Sequence, residues 1–243
     1  MKKILYSLLM GSAAMLMGSC MEVDNFDEPE AHVTGRIIDS TTGENILSDQ
    51  GHYRVRIWEK SFSTNPRNQD IPVKQDGTYN NAKLFAGTYD VVPEGAWWPA
   101  DTIRIGIGKK TVTQDFEVTP YLTLFDFKTE LIASDTLRLS CRLDAPVKVG
   151  LPQIMEVRPY LSLNQFCGAN NCITFYNTNT YRVNIMQTWD RLEKLEDGKS
   201  VVYSVKLPVK PGYTYFARMG AKVRDNLEKY NYTEIVKIEI PNE

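Results

Sequence analysis

From residue 31 onward, short runs of β-branched, aliphatic and aromatic residues alternate with Gly, Pro, Asn and Asp, and almost no stretch repeats at helical spacing. That alternation limits the fold more than any other feature. Strands this short bury one face each, so they must stack as two sheets around a common core. Strand candidates in the first half are 33–39, 53–60, 71–74, 87–93, 101–107 and 111–118, with turns at 40–44 and at Asp76-Gly77. Six or seven strands within about ninety residues indicate a β-sandwich. After Thr119-Pro120 a second set follows, at 121–128, 136–143, 154–163, 181–187, 201–207, 213–223 and 234–240. One short helix is expected at 189–196, where Leu192 and Leu195 would share a face. The fold class is all-β, with two consecutive sandwich domains over residues 31–118 and 119–243.

Composition agrees with two ordinary cores, at 42% hydrophobic and 11% aromatic residues. The first residues have the form of an export signal: Lys2 and Lys3, then an apolar stretch from Ile4 to Met17. Removal of residues 1–19 would leave 26 basic against 30 acidic residues, a formal charge of −4. That balance disfavours nucleic acid as a partner.

The segment Leu16-Met17-Gly18-Ser19-Cys20 resembles a bacterial lipoprotein signal, although Met17 stands where that pattern usually has Leu, Val or Ile. The resemblance implies lipidation of Cys20 and attachment to the membrane through two or three acyl chains, with no transmembrane helix needed. Residues 20–30 then form a tether. Its acids, Glu22, Asp24, Asp27, Glu28 and Glu30, are similar to the export signal of Bacteroidetes surface lipoproteins. An outer-membrane, cell-surface location is the resulting expectation.

Three cysteines remain. Cys141 alternates with leucines and reads as a buried small hydrophobe. Cys167 and Cys172 bracket a short loop that can close in an oxidising compartment, and a disulfide is expected there. Neither a metal site nor a cofactor is expected, because the two histidines, His32 and His52, lie far from these cysteines in sequence and no calcium-type spacing of aspartates occurs.

Gly35-Arg36-Ile37-Ile38-Asp39, Thr42-Gly43-Glu44, Asp76-Gly77-Thr78-Tyr79 and Leu84-Phe85-Ala86-Gly87-Thr88-Tyr89 together resemble a carboxypeptidase regulatory-like, or transthyretin-like, sandwich. The stretch from Leu207 to Ala221 is similar to the late strands of a fibronectin type III domain, in which a tyrosine ties the strand to the preceding turn; Tyr213 or Tyr215 would take that place. With the lipidated cysteine, the Val92-Pro93-Glu94-Gly95 motif and the run from Tyr230 to Ile235, the whole resembles a family of two-domain Bacteroidetes surface lipoproteins encoded beside starch-utilisation-type glycan-uptake systems. That resemblance implies a noncatalytic accessory or carbohydrate-binding component of such a system. The alternative is a protein-binding scaffold that docks on the outer-membrane transporter complex.

Catalysis finds little support in the residues themselves. Two isolated histidines supply no triad, and no carboxylate pair stands out among thirty acids. The candidate saccharide contact is Glu94-Gly95-Ala96-Trp97-Trp98-Pro99-Ala100-Asp101, where Trp97 and Trp98 could stack on sugar faces while Glu94 and Asp101 take hydroxyls. Neighbours on an extended segment point oppositely, so the competing reading is that one tryptophan plugs the open end of the sandwich. Trp58 and Trp189 read as packing residues. A second candidate is the loop 164–180, with Gln165, Asn170, Asn171, Tyr176, Asn177 and Asn179; turn-forming asparagines explain the same composition.

Overall fold

The computed structural model describes residues 28–62 and 64–242. The signal sequence, Cys20 and most of the tether therefore lie outside the described residues. The fold is all-β, as the alternation requires, and among the described residues only single 3-10 turns occur besides strands.

The first sandwich packs two four-stranded sheets. In one, β1 (Ala31–Asp39) lies between β4 (Thr78–Leu84), antiparallel to it, and two short parallel partners, β7 (Val112–Thr113) and β8 (Phe116–Val118). The other has the order β3 (Asn68–Pro72), β2 (Arg54–Glu59), β5 (Gly87–Glu94), β6 (Ile103–Ile107), antiparallel throughout. Ile37, Val55, Ile57, Tyr79, Tyr89, Val91 and Ile107 meet between them. The expected strand 111–118 is broken at Gln114-Asp115, where Asp115 Oδ1 accepts the Arg36 backbone N–H at 2.9 Å and its carboxylate pairs with the Arg36 guanidinium. Strand β4 escapes a reading by β propensity because Asn80 and Asn81 sit mid-strand. Gly77, at φ +80°, makes the turn that leads into it.

Trp58 corrects an expectation. On β2 the inward positions are Val55 and Ile57, so Trp58 shares the outer face with Arg54 and Arg56 and is only half-buried.

The second sandwich sets the antiparallel sheet β13 (Tyr203–Pro208), β10 (Thr136–Asp144), β9 (Thr123–Ala133) against a five-stranded one. The latter runs β12 (Val183–Gln187), β11 (Ile154–Ser162), β14 (Thr214–Val223), β15 (Tyr230–Tyr232), with β16 (Val236–Glu239) beside the start of β14. Leu139, Cys141, Leu143, Val157, Leu161, Ala217 and Met219 fill its core, with Trp189 against them. The expected helix at 189–196 is a single 3-10 turn, Trp189–Arg191. Leu192 is already extended and buried, and Leu195 is exposed, so the two do not share a face.

Strand β11 is buried on both sides. Val157 and Leu161 enter the core, while Glu156, Arg158, Tyr160 and Ser162 face the opposite way and are also covered. Part of their cover is the first domain. Its β1–β2 connection brings Ser48, Asp49, His52 and Tyr53 against β14, β15 and the loop after β11, and a small third core of Tyr160, Cys167, Tyr230 and Tyr232 forms there.

Hydrogen bonds meet most of the polar groups in the seam, as burial requires, while His52 Nδ1, Trp98 Nε1 and Tyr160 Oη lack a partner among the described residues. Asp49 accepts from Asn170 N–H, from Asn171 N–H at 3.1 Å and from Asn171 Nδ2 at 2.8 Å. Gly168 stands where a Cβ would meet the Asp49 side chain at 2.5–2.9 Å, so a side chain there would displace it. Arg218, 1% exposed, donates to the carbonyls of Thr233, Ser48 and Cys167 and lies 4.3 Å over the Tyr232 ring. Asn231 bridges the Ala96 carbonyl and the Leu122 N–H.

Candidate functional site

Trp97 and Trp98 point opposite ways, as an extended dipeptide must. Trp97 is 3% exposed and packs edge-on against Tyr53, with ring centroids 4.9 Å apart, closing the first core. Trp98 turns to the other domain and rests 5.3 Å from Tyr121 against the second core. Together they staple the two sandwiches. Glu94 is engaged by Arg54 at 2.6 Å and Arg56 at 3.1 Å, within a ladder that also holds Asp70. Asp101 is exposed on the following loop. Glu94 and Trp97 border an interdomain cleft of 300 Å³, but the indole faces are spent on packing. The four residues do not assemble a stacking platform.

The amides of Asn170, Asn171, Asn177 and Asn179 are likewise occupied, and Gln165 is exposed. Asn170 Nδ2 donates to the Gln50 carbonyl at 3.3 Å, Asn171 Nδ2 donates to Asp49 at 2.8 Å, and Asn177 and Asn179 accept from Arg158 at 3.0 and 3.5 Å. Arg158 also binds Glu156 at 2.8 Å. Burial alone would raise the Glu156 pKa, yet its hydrogen bonds from Arg158, Tyr230 and Arg182 prevail and hold it down at about 2.

The expected Cys167–Cys172 bridge is not formed. Both are free thiols; Cys167 is buried, its Sγ 3.4 Å from the Phe216 carbonyl, and burial pushes its pKa up to about 12. Cys141 is buried in the second core, its pKa also pushed up to about 12 by burial.

His32 is half-buried and contacts the Thr111 hydroxyl and Asn80. His52 is buried and accepts the Tyr230 N–H at Nε2. Among the described residues no cluster of His, Cys, Asp and Glu could hold a metal ion, and no helix is long and apolar enough to cross a membrane.

An aromatic groove that the strand pattern did not disclose lies on the second domain. It occupies 490 Å³ between the end of β11, the 3-10 turn Thr174–Tyr176 and the β13–β14 turn. Register places it away from the interdomain linker: Thr136 pairs with Pro208 and Ala133, whereas Asp144 pairs with Thr123 at the linker end of β9. Tyr176 and Tyr215 form its fixed floor, 6% and 3% exposed. Tyr176 Oη donates to the Pro208 carbonyl at 2.6 Å, and burial raises its pKa above the usual phenol range. Tyr215 Oη accepts the Lys210 N–H at 3.2 Å, so of the two expected tyrosines it is Tyr215 that ties the corner.

That leaves Tyr213 free to serve the surface. It is 46% exposed, roughly parallel to Tyr215, with the Lys210 ammonium 5.7 Å from its centroid. Across the groove, Phe175 is 58% exposed and braced by Tyr176 at 5.1 Å and Tyr181 at 5.5 Å. Leu163, 56% exposed, completes the wall. Large apolar side chains left this open on a rigid support mark an interaction site. The one sequence signal was the Leu207–Tyr215 corner motif, where two tyrosines serve a motif that needs one.

Comparison with known proteins follows the same division of the chain. Residues 31–119 match the family described as "Protein of unknown function (DUF3823) N-terminal domain", and residues 127–237 match "Domain of unknown function (DUF3823_C)". A DUF3823 family protein of Bacteroides uniformis shares the fold at a TM-score of 0.74 and 21% identity, over 88% of this chain and 100% of its own. A candidate carbohydrate binding protein from the same organism follows at 0.66 and 21%, covering 87% and 99%. A DUF3823 family protein of Parabacteroides merdae aligns at 0.63 and 19%, covering 88% and 100%. No curated protein matches the chain.

Proposed function

This chain belongs to the DUF3823 family, with the family's N-terminal and C-terminal domains in order, and from that premise we propose that it is a noncatalytic surface lipoprotein that binds oligosaccharide for a glycan-uptake system. The contact is the groove of Tyr213, Phe175 and Leu163. Sugars present apolar C–H faces that stack on aromatic planes, and Lys210 at the rim can donate to hydroxyls or ring oxygens. The single observation that carries the reading is a pair of half-exposed rings held on a buried tyrosine floor. A protein of the same fold described as a candidate for carbohydrate binding supports the ligand class. Anchoring at Cys20 on the outer membrane is part of the proposal and follows from the signal-like sequence.

Isothermal titration against a panel of polysaccharides and derived oligosaccharides tests it. Wild type should bind at least one glycan, and Phe175→Ala or Tyr213→Ala should each weaken binding by about five- to tenfold. Absence of binding across the panel, or undiminished binding by the double variant, would refute the reading.

A further inference from the structure

At the end of the first sandwich remote from the second domain, the polypeptide enters β1 beside a surface that the saccharide reading does not use. Phe62 is 80% exposed and Phe85 47%. They border a 210 Å³ recess with Ala86, Lys109, Glu28 and Glu30. Strand directions fix this as one end: β2 and β6 finish there, β5 starts there, and Leu84 pairs with Ala31 at the first residue of β1. The other end carries Asp49, Tyr53 and Trp97 and is closed by the second domain.

Lys83, next to the last residue of β4, and Lys109 and Lys110, in the segment after β6, are exposed and make no ion pair among the described residues. Two open phenylalanines form an amphipathic patch, apolar in the middle and charged at the edge, where Lys109 shares the rim with Glu28 and Glu30 and Lys83 and Lys110 are exposed on the flanking segments. Such patches suit the boundary between acyl chains and phosphate headgroups.

We infer that this end of the first domain rests on the membrane surface, with Phe62 and Phe85 at the acyl boundary and Lys83, Lys109 and Lys110 against lipid phosphates. Chain length argues for a bilayer as the occupant. From Cys20 to Glu28 there are eight residues, so a lipid on Cys20 holds this end within about 30 Å of the membrane even when fully extended. At that reach the patch and the bilayer share a high effective concentration, and weak contacts suffice. The inference rests on the proposed anchor for this proximity but is independent of sugar binding. Its consequence is an upright molecule, with the second domain held away from the lipid.

Hydrogen–deuterium exchange on the full-length lipidated protein, reconstituted in phosphatidylethanolamine–phosphatidylglycerol vesicles, provides the test, with the soluble Cys20→Ala chain as reference. Amides around Phe62, Phe85 and Lys109 should exchange about tenfold more slowly in the anchored protein, while those around Asn226 in the β14–β15 loop stay unchanged. Phe62→Ser with Phe85→Ser should abolish that protection without releasing the protein, and Lys83→Glu, Lys109→Glu and Lys110→Glu together should reduce it. Equal exchange in anchored and soluble chains would overturn the inference, as would protection that survives both sets of substitutions. A Cys20→Ala chain that still sediments with membranes would instead remove the anchor, and this inference with it.

Discussion

His52 is enclosed by Tyr53, Tyr230 and Tyr232, with ring centroids 5.5 to 6.1 Å away. Burial and the nearby Lys229 charge lower its pKa to about 3, so it remains a neutral acceptor for the Tyr230 N–H. Between its ordinary value of 6.5 and about 3 the unfolded chain binds a proton that the folded chain refuses. The contribution of this site is complete above pH 6.5 and is lost as pH falls, at up to about 1.4 kcal/mol per pH unit. Urea melts at a series of pH values should show that slope, and His52→Gln, which keeps an acceptor without the titration, should flatten it between pH 6 and 4. An unchanged slope in His52→Gln would contradict the assignment. Glu156, held down at about 2 against an ordinary 4.5, acts in a lower window: its stabilisation is present above pH 4.5 and disappears toward 2. The two windows overlap below pH 4.5, so the range from 6.5 to 4.5 reads His52 without Glu156.

Among the elements, β14 and its corner show how local sequence becomes a site. The Tyr215 hydroxyl takes the Lys210 N–H, which would otherwise lie without a partner beside a buried ring. Tyr215→Phe should cost about 1 kcal/mol and lower the thermal midpoint by a few degrees, with weaker glycan binding as the turn bearing Tyr213 loosens. A melt indistinguishable from wild type would remove the corner from the account. Alternation disclosed most of these strands because burial on one face writes itself into every second residue, as in β10 and β13. It concealed β15, whose Tyr230, Asn231 and Tyr232 are all buried, two sides at once, in the interdomain seam. The groove was hidden for a related reason. Phe175 sits on a 3-10 turn inside a loop read for its asparagines, and its neighbours Leu163 and Tyr213 come from elements far apart in sequence. Conversely, the Trp97-Trp98 pair was conspicuous in sequence, but the same conspicuous size makes it the staple between two cores.

For the whole molecule, the seam decides whether two domains behave as one. Asp49 receives four nitrogens, counting the Gln50 N–H at 2.7 Å, and Arg218 reaches carbonyls on both sides. Calorimetry should therefore record a single transition for wild type. Asp49→Ala removes the shared acceptor of part-buried donors from Gln50, Asn170 and Asn171, costs about 1–3 kcal/mol, and should split the transition as the second domain uncouples. Two resolved transitions in wild type would contradict a coupled pair. Rigidity matters to the proposed role because it fixes the direction in which the groove of the second domain faces. The central claim is that saccharide is held there, and the most direct measurement is a crystal structure with an oligosaccharide chosen by titration. The account predicts a sugar ring stacked over Tyr213 or Phe175 with a hydroxyl near Lys210; a sugar seated instead in the cleft beside Glu94 and Trp97, with the groove empty, would contradict it.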